Sequence, residues 1–206
     1  EVDWGCKGFN QAAAAAKAGL PVSLAGCIGE DGGVFLDKCR QACVDTAHLS
    51  RVEEPTGSAV IQVNQRGENC ILLYGGANQL VTRAQIDQVL AAFEPGDVLM
   101  LQNEISELAY LAEEGARRGL RIGLNPSPMN RLITPAILEK ATWLFVNEVE
   151  AEQLCGASEP GVCLQRLGRM CSGGSVILTL GSAGSCYGGP EGTFEQPAFP
   201  VSVVDT

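Results

Sequence analysis

Four short apolar segments of the chain are each followed by side chains that donate or accept hydrogen bonds. One such residue by itself is most often a turn or a helix cap. Four in succession predict a binding site, because open parallel sheets place their ligands at the carboxyl ends of the strands. The residues at these ends are Glu104, Asn125, the group Asn147, Glu148 and Glu150, and the pair Thr179 and Gly181.

The segments that must position these side chains alternate with amphipathic stretches, which is the pattern of βαβ units around a mostly parallel sheet. The sequence therefore predicts an α/β protein. The predicted strands are Val98–Gln102, Leu120–Asn125, Thr142–Asn147 and Ser175–Leu180. Helices are expected to begin near Ser106, Thr134, Glu148 and Gly161. From Gly181 onward dense glycine and proline predict an antiparallel edge.

The first part of the chain has the same alternation. We expect a helix over Asn10–Ala18 that ends at Gly19, a strand over Val22–Ile28, and a second helix after Gly33. A capping box at Thr82 and Gln85 predicts a third helix, which would run to Phe93. The residues expected to share one face of the second helix are Val34, Phe35, Cys39, Ala42 and Cys43.

One region breaks this rhythm. The runs Ser58–Asn64 and Asn69–Tyr74 flank the turn-forming residues 65–68 and predict an antiparallel hairpin. Such a hairpin could be an edge addition to a sheet, a dimer contact or a lid over a site.

Composition excludes several classes of protein. The formal charge of −10 argues against a nucleic-acid or anionic-membrane surface. Hydrophobic residues make up 46% of the 206 residues and charged residues 18%, which predicts one folded unit, and no run is long enough for a spanning helix. The nine cysteines are an odd number and favour a reduced, cytoplasmic setting.

Several catalytic motifs are missing. There is no Gly-x-Gly, phosphate loop or Gly-x-Ser-x-Gly elbow, which argues against an oxidoreductase of the dinucleotide-binding type and against a hydrolase. The lone histidine, His48, is expected in a turn, and structural zinc lacks its usual ligand spacing.

Residues 5–12, Gly-Cys-Lys-Gly-Phe-Asn-Gln-Ala, resemble the GGKGxNQA signature of the ribokinase-like (PfkB-type) carbohydrate kinase family. Glycines allow a backbone to approach a polyol, while Lys7 and Asn10 supply donors for sugar hydroxyls. A glycine cluster that only caps a helix is the alternative explanation of this segment. Further segments match the family in order along essentially the whole chain, at 25–31, 56–57, 67–69, 76–78, 125–128, 147–152, 179–184 and 204–206.

The resemblance implies a three-layer α/β fold with a mostly parallel central sheet and a small β-hairpin lid formed by residues from about 56 to 78, within one domain over residues 1–206. It implies that Gly5, Lys7, Asn10 and Glu104 hold the sugar. Asn147, Thr179, Gly181 and Gly184 would bind ATP, Glu150 would serve Mg²⁺, and Asp205 would serve K⁺. Phosphoryl transfer depends on positioning and charge neutralisation, which suits this set of groups.

Two departures from the family pattern bear on activity. Cys6 places a side chain where the signature has its second glycine. In the family a Gly-Ala-Gly-Asp segment with the catalytic base follows the Asp-Thr pair, whereas this sequence stops at Thr206 and also lacks the first family strand. We therefore expect an incomplete domain that does not turn over sugar at a normal rate by itself, with its catalytic base unassigned.

The function expected for the full-length protein is transfer of the γ-phosphate of ATP to a primary hydroxyl of a pentose such as ribose. The alternatives are another PfkB-type kinase, acting on fructose, 2-keto-3-deoxygluconate or a nucleoside, or a non-catalytic sugar-binding relative. The expected partners are a sugar and ATP, with a homodimer through the lid. The glycine-lysine-asparagine loop and the strand-end carboxylates are expected to face one cleft, with Lys7 near Glu104.

Overall fold

The computed structural model describes residues 6–63 and 69–200. They divide into two compact units. The first contains the residues up to Phe93 together with Glu104–Leu111, and the second contains Glu94–Asn103 and the residues from Ala112 onward. The single domain expected from the sequence stays a prediction.

The first unit holds two pairs of strands and three helices. The helices are α1 (Lys7–Lys17), α2 (Gly33–Gln41) and α3 (Arg83–Leu90). The strands are β1 (Ser23–Ile28), β2 (Asp45–Arg51), β3 (Ser58–Val63) and β4 (Asn69–Tyr74). Strands β1 and β2 pair in parallel, and β3 and β4 pair antiparallel. A small core of Ala12, Ile28, Phe35, Cys39 and Val44 packs α1 and α2 beside β1.

Helix α1 begins three residues earlier than the sequence predicts, at Lys7 rather than Asn10. The cause is a cap: Cys6 has an extended backbone, and its Sγ accepts a hydrogen bond from the Phe9 amide at 3.4 Å. The new first turn brings Phe9 onto the core, where its ring meets that of Phe35 edge-on at 5.4 Å.

Two expectations for α2 and β2 are wrong. Of the five residues predicted to share the face of α2, Phe35 and Cys39 are buried, but Val34 is 49% exposed. Cys43 has a φ of 58°, because the helix has already ended at Gln41 and the chain reverses there. His48 lies in β2 rather than in a turn, opposite Ala25 of β1.

The capping box predicted for α3 forms only in part. Thr82 accepts a hydrogen bond from the Gln85 amide at 3.2 Å, as expected. The Gln85 side chain turns away from the helix end, because its amide nitrogen donates to Gly26 O at 2.9 Å and to Ser50 Oγ at 3.1 Å. Gln85 thus ties α3 to β1 and β2.

The hairpin is confirmed. Strands β3 and β4 are in register from Ser58 opposite Tyr74 onward, and the turn between them, 64–68, lies outside the described residues. The hairpin is unusually apolar for an exposed element: Val60, Leu72, Leu73 and Tyr74 are each about half exposed.

The second unit is built on a six-stranded sheet. Its strands are β5 (Val98–Gln102), β6 (Arg121–Asn125), β7 (Ala141–Asn147), β8 (Ser175–Thr179), β9 (Ser185–Gly189) and β10 (Gly192–Gln196). Their spatial order is β10-β9-β8-β7-β6-β5. Strands β5 to β8 are parallel, and β9 and β10 form the antiparallel edge predicted from Gly181 onward.

Helices connect the parallel strands of this sheet. They are α4 (Leu108–Arg117, which begins in the first unit), α5 (Pro135–Leu138), α6 (Glu148–Cys155) and α7 (Pro160–Met170). In β6 the consecutive residues Ile122, Gly123 and Leu124 are all buried, so both faces of this strand are covered. Among the described residues, no helix has the length and apolar character needed to cross a membrane.

Candidate functional site

The amino end of α1 carries two of the residues predicted to bind sugar. Lys7 is the first residue of the helix, and the Asn10 amide donates to Cys6 O at 2.9 Å within the first turn. Lys7 and Asn10 are spaced to lie on the same side of the helix. Asn10 is exposed, so its side-chain amide is accessible to a ligand. Gly5, the third residue of this segment predicted to contact sugar, lies outside the described residues.

An ion pair joins this helix to the segment after β5. Lys7 Nζ lies 3.0 Å from Glu104 Oε1, and the Glu104 side chain is only 19% exposed. The sequence prediction that Lys7 and Glu104 lie together is therefore confirmed. In a partly buried pair the two charges are less screened than on an open surface, and each retains further hydrogen-bonding capacity for a ligand.

Hydrogen bonds from one loop hold Glu104 in place. Gln79 Nε2 donates to the Glu104 carbonyl at 3.0 Å, and the Ser106 amide donates to the Asn78 carbonyl at 3.1 Å. The Ser106 hydroxyl donates to Val81 O at 2.8 Å. Residues 78–81 thus hold the segment that carries Glu104. The sequence pattern missed Gln79, although it adjoins the family-like segment 76–78.

Cys6 fits its position without backbone strain. Its φ of −139° and ψ of 167° are open to any residue, so the glycine of the family signature is not required by conformation here. The pKa of the Cys6 thiol is raised, mainly because surrounding protein atoms desolvate the thiolate and in part because the Glu104 carboxylate is near. A thiol that stays protonated serves as a neutral cap of α1.

A second family-like pair, Asp31 and Thr56, forms an internal link. Asp31 Oδ1 accepts hydrogen bonds from Thr56 N at 3.0 Å and from Thr56 Oγ1 at 2.7 Å, while the Gly29 amide donates to Thr56 Oγ1 at 3.0 Å. These hydrogen bonds lower the pKa of the Asp31 carboxyl. The link ties the turn after β1 to the residues that precede β3, and thus to the base of the hairpin.

In the second unit, the predicted nucleotide residues lie at the carboxyl ends of two neighbouring strands. Asn147 ends β7 and Thr179 ends β8, and the two are directly paired in the parallel register. Both are exposed. The sheet therefore brings these two predicted residues together. Thr179 Oγ1 also approaches the Val146 carbonyl at 3.4 Å.

Glu150 has a structural task that the sequence did not reveal. It forms a capping box with Asn147: the Asn147 side chain accepts from the Glu150 amide at 2.8 Å, and Glu150 Oε2 accepts from the Asn147 amide at 3.1 Å. Glu150 is buried, with 9% of its surface exposed. The carboxylate is held rigidly at the amino end of α6, where the helix dipole favours a negative charge.

The two glycines predicted to lie along the nucleotide differ in their surroundings. Gly181 has a φ of 54°, and a Cβ added to it would meet nothing within 4 Å. Gly184 has a φ of 104°, and a Cβ there would lie 2.0 Å from the Gln196 carbonyl. Close packing against the chain after β10 therefore explains Gly184, whereas Gly181 leaves its backbone open to an approaching ligand.

The predicted strand-end residue Asn125 is explained by a local contact. Asn125 Oδ1 accepts from the Ser127 amide at 3.0 Å, which makes Asn125 a turn residue. The neighbouring Asn103 escaped the sequence prediction: it is buried and donates its side-chain amide to Pro128 O at 2.6 Å. These contacts join the ends of β5 and β6.

The groups around Glu150 suit one mode of Mg²⁺ binding. Mg²⁺ in nucleotide sites is commonly held by one or two carboxylates, by waters and by the phosphates of the substrate. One carboxylate oxygen of Glu150 caps α6, and a single further carboxylate oxygen suits that mode. Among residues 6–63 and 69–200 no cluster of three or more acidic, histidine or cysteine side chains could hold a metal by itself. Asp205, the residue predicted to serve K⁺, lies outside the described residues.

A mostly parallel sheet with an antiparallel edge, with helices between its parallel strands and polar residues at its strand ends, defines an α/β protein. The sequence pattern of the pfkB family of carbohydrate kinases matches residues 1–206. The chain belongs to this family.

Individual relatives agree with that assignment. Over 161 residues the chain is 35% identical to the ribokinase of Haemophilus influenzae, covering 76% of this chain and 52% of that protein. It is 29% identical over 223 residues to a deoxyribokinase of Salmonella typhi, covering 100% of this chain and 70% of that protein. The structure of Arabidopsis thaliana ribokinase complexed with ribose and ATP superposes with a TM-score of 0.80 at 27% identity, covering 97% of this chain and 68% of that one.

These comparisons confirm the predicted ribokinase-like α/β fold. The chain spans about half the length of the Haemophilus relative, 52%.

Proposed function

We propose that the complete protein transfers the γ-phosphate of ATP to a primary hydroxyl of a pentose such as ribose. The single observation that carries this proposal is the ion pair between Lys7 and Glu104, at 3.0 Å, beside the exposed Asn10. A cation, a carboxylate and a primary amide in one place supply both donors and acceptors, which is what a polyol requires. The ribokinases among the relatives support the choice of a pentose.

Sugar binding is assigned to the first unit. The Lys7 ammonium donates to hydroxyl oxygens, the Glu104 carboxylate accepts from hydroxyl protons, and the Asn10 amide can do both. Charge-assisted hydrogen bonds of this kind are stronger than neutral ones and fix the orientation of the ring. Gly5 is proposed to complete this site with its backbone.

ATP binding is assigned to the second unit. Asn147 and Thr179 present polar side chains from paired strand ends, and Gly181 presents open backbone. Gly184 shapes the same turn through its packing against Gln196. When Mg²⁺ is bound with ATP it neutralises charge on the phosphates, and Glu150 is proposed to hold it there. K⁺ at Asp205 is proposed from the family resemblance alone.

The choice of sugar has one specific competitor. The deoxyribokinase relative covers 100% of this chain, so 2-deoxyribose is the second candidate acceptor. Cys6 bears on this choice, because its side chain stands beside Lys7 at the amino end of α1.

A homodimer through the hairpin is also proposed. Val60 and Leu72 lie directly opposite each other in the β3–β4 register, and both are more than half exposed, at 56% and 58%. A second copy of the hairpin would remove these apolar side chains from water. We further propose a cytoplasmic location, since the described cysteines are free thiols.

A substrate screen tests the proposed function. The full-length protein is assayed for ATP-dependent phosphorylation of ribose, 2-deoxyribose, fructose, 2-keto-3-deoxygluconate and nucleosides, and for thermal stabilisation by each compound without ATP. The expected result is stabilisation and turnover with a pentose. Stabilisation by a pentose without turnover in any reaction would instead assign a sugar-binding protein, and no response to any pentose would contradict the proposal.

A further inference from the structure

Two thiols outside the proposed kinase site share one hydrogen-bond acceptor. Cys163 Sγ donates to the Ala157 carbonyl at 3.1 Å, and Cys155 Sγ approaches the same oxygen at 3.9 Å. Because both sulfurs lie within 3.9 Å of one oxygen, they are near each other. Cys155 is the last residue of α6 and Cys163 lies in the first turns of α7, so the pair bridges two helices.

The loop between the helices holds the two thiols in this arrangement. Gly156 caps the carboxyl end of α6: its φ of 65° reverses the chain, and its amide donates to Glu152 O at 2.8 Å. α7 starts at a cap in which the Glu159 carboxylate accepts from the Gly161 and Val162 amides at 3.0 and 2.7 Å.

A side chain of α7 also holds this loop, through the last residue of α6. Arg166 Nη1 donates to the Cys155 carbonyl at 2.9 Å. The carbonyl of the last α6 residue is thus bound to α7 itself. The loop that places both thiols at the Ala157 carbonyl is therefore held by contacts from both helices.

We propose that Cys155 and Cys163 form a reversible modification site, a dithiol that low-molecular-weight disulfides oxidise to an internal disulfide. The two residues differ in access, since Cys155 is half-buried and Cys163 is only 2% exposed. The order of reaction follows from this difference. Cys155 reacts with the external disulfide, and Cys163 resolves the product.

The chemistry balances in two exchange steps. The Cys155 thiolate attacks one sulfur of the disulfide, so that a Cys155 mixed disulfide forms, the original S–S bond breaks, and one small thiolate leaves and takes up a proton. Cys163 then loses its proton and attacks the Cys155 sulfur, and the second small thiol leaves. The two cysteines lose two electrons together, and the external disulfide gains them.

The surroundings of Cys163 make it the second of the two thiols to react. Burial raises the pKa of its thiol to about 11, and the neighbouring Cys155 and Glu159 add to this while Arg166 opposes it. Cys163 therefore stays protonated and unreactive toward bulk reagents, and the need to deprotonate it makes the second exchange step the slower one. This proposal does not depend on the kinase proposal, because neither thiol belongs to the residues assigned to sugar, ATP or Mg²⁺.

Peptide mapping tests the proposal directly. The full-length protein is incubated with oxidised glutathione, quenched with iodoacetamide under denaturing conditions, and digested with trypsin. Residues 141–166 form one tryptic peptide with both thiols and no other cysteine, and Cys171 and Cys186 fall together in a later peptide as an internal control. After oxidation we expect the first peptide to carry no alkyl group. When the oxidised protein is treated with dithiothreitol before alkylation, the same peptide should carry two, while the control peptide stays fully alkylated in both cases.

Two variants resolve the order of reaction. Cys163→Ser should trap glutathione on Cys155 as a stable adduct, and Cys155→Ser should abolish both the adduct and the disulfide. If Cys163→Ser fails to fold, the wild-type protein and the half-buried Cys155→Ser variant still decide the outcome. Full alkylation of both thiols in the oxidised wild-type protein would overturn the proposal, as would loss of alkylation to the same extent in the control peptide.

Discussion

Lys7 and Glu104 are far apart in the sequence, yet their side-chain charges meet at 3.0 Å. Lys7 is presented by the first turn of α1, and Glu104 is held by Gln79 through its carbonyl. We propose that this pair, which is fixed from both sides, contributes to ligand binding.

Removing the charge of Glu104 should weaken sugar binding without unfolding the protein. We expect Glu104→Gln in the full-length protein to lower kcat/KM for the sugar about 10- to 100-fold, since a hydrogen bond to a charged group is worth about 1.5–3 kcal/mol. Steady-state kinetics with each substrate varied in turn measure this, and KM for ATP should change little.

A neighbouring glutamate provides the matched control for this variant. Glu107 pairs with Arg83 at 2.8 Å, so Glu107→Gln removes a comparable ion pair from the same segment. It should leave the kinetics near those of the wild-type protein. Equal losses in both variants would refute a direct role for Glu104 in sugar binding.

The capping box of α6 allows the structural and chemical roles of Glu150 to be separated. Glutamine replaces glutamate well at this position of a capping box, so Glu150→Gln should change the free energy of unfolding by less than about 0.5 kcal/mol. Turnover should nevertheless fall, with a higher Mg²⁺ concentration needed for half-maximal rate. Denaturant unfolding and magnesium titrations measure the two effects.

The partner residue of that box gives the complementary result. Asn147→Ala removes the side chain that accepts from the Glu150 amide, and it should cost about 1 kcal/mol of stability. If Glu150→Gln lowers stability as much as Asn147→Ala does and leaves the magnesium dependence unchanged, Glu150 is a structural residue only.

The glycines of the turn after β8 should respond differently to alanine. At Gly184 the added Cβ meets the Gln196 carbonyl at 2.0 Å, so Gly184→Ala should lower the free energy of unfolding by more than about 2 kcal/mol. At Gly181 the space is open and only the positive φ opposes alanine, at a cost of about 1–2 kcal/mol. Thermal unfolding compares the two, and the same loss in both would show that the packing at Gly184 is not decisive.

The Asp31–Thr56 link predicts a pH effect on stability. The folded-state pKa of Asp31 is lowered, so its contribution is present above the unfolded pKa of about 3.9 and is lost as the pH falls through the folded value. The Tm difference between the wild-type protein and Asp31→Asn should therefore be constant near neutrality and shrink below about pH 4. A difference that stays constant down to pH 3 would exclude this contribution.

An exposed leucine of the hairpin tests the proposed dimer. Leu72→Glu places a charge where a second copy would bury an apolar side chain, and it should convert the dimer to a monomer in light scattering coupled to size exclusion. Leu132, at 59% exposure in the second unit, matches the 58% of Leu72 and provides the control variant Leu132→Glu. Dissociation by both variants, or by neither, would contradict a hairpin interface.

Periodicity predicted the elements of this chain better than their ends. The alternation of apolar runs and amphipathic stretches predicted the parallel strands, because strands covered by helices are apolar runs. Dense glycine and proline predicted the antiparallel edge. The start of α1 escaped prediction since a cysteine is an uncommon cap, and β2 escaped because the segment around His48 is polar and half exposed.

The candidate site was likewise predicted only in part. The meeting of Lys7 with Glu104 followed from the family resemblance, whereas the support of Glu104 by Gln79 depends on a loop whose path no periodicity encodes. For Glu150 the sequence pointed to a ligand role, and its capping box with Asn147 is evident only in the folded structure.

The cap of α1 has a consequence for how acceptor preference can change. Position 6 tolerates any residue with extended backbone, and its side chain folds back onto the Phe9 amide. Serine, threonine or asparagine there would strengthen the helix start, and glycine would weaken it by only a few tenths of a kcal/mol. The size of the side chain at position 6 can therefore change, by natural substitution or by design, while the helix that presents Lys7 and Asn10 stays in place.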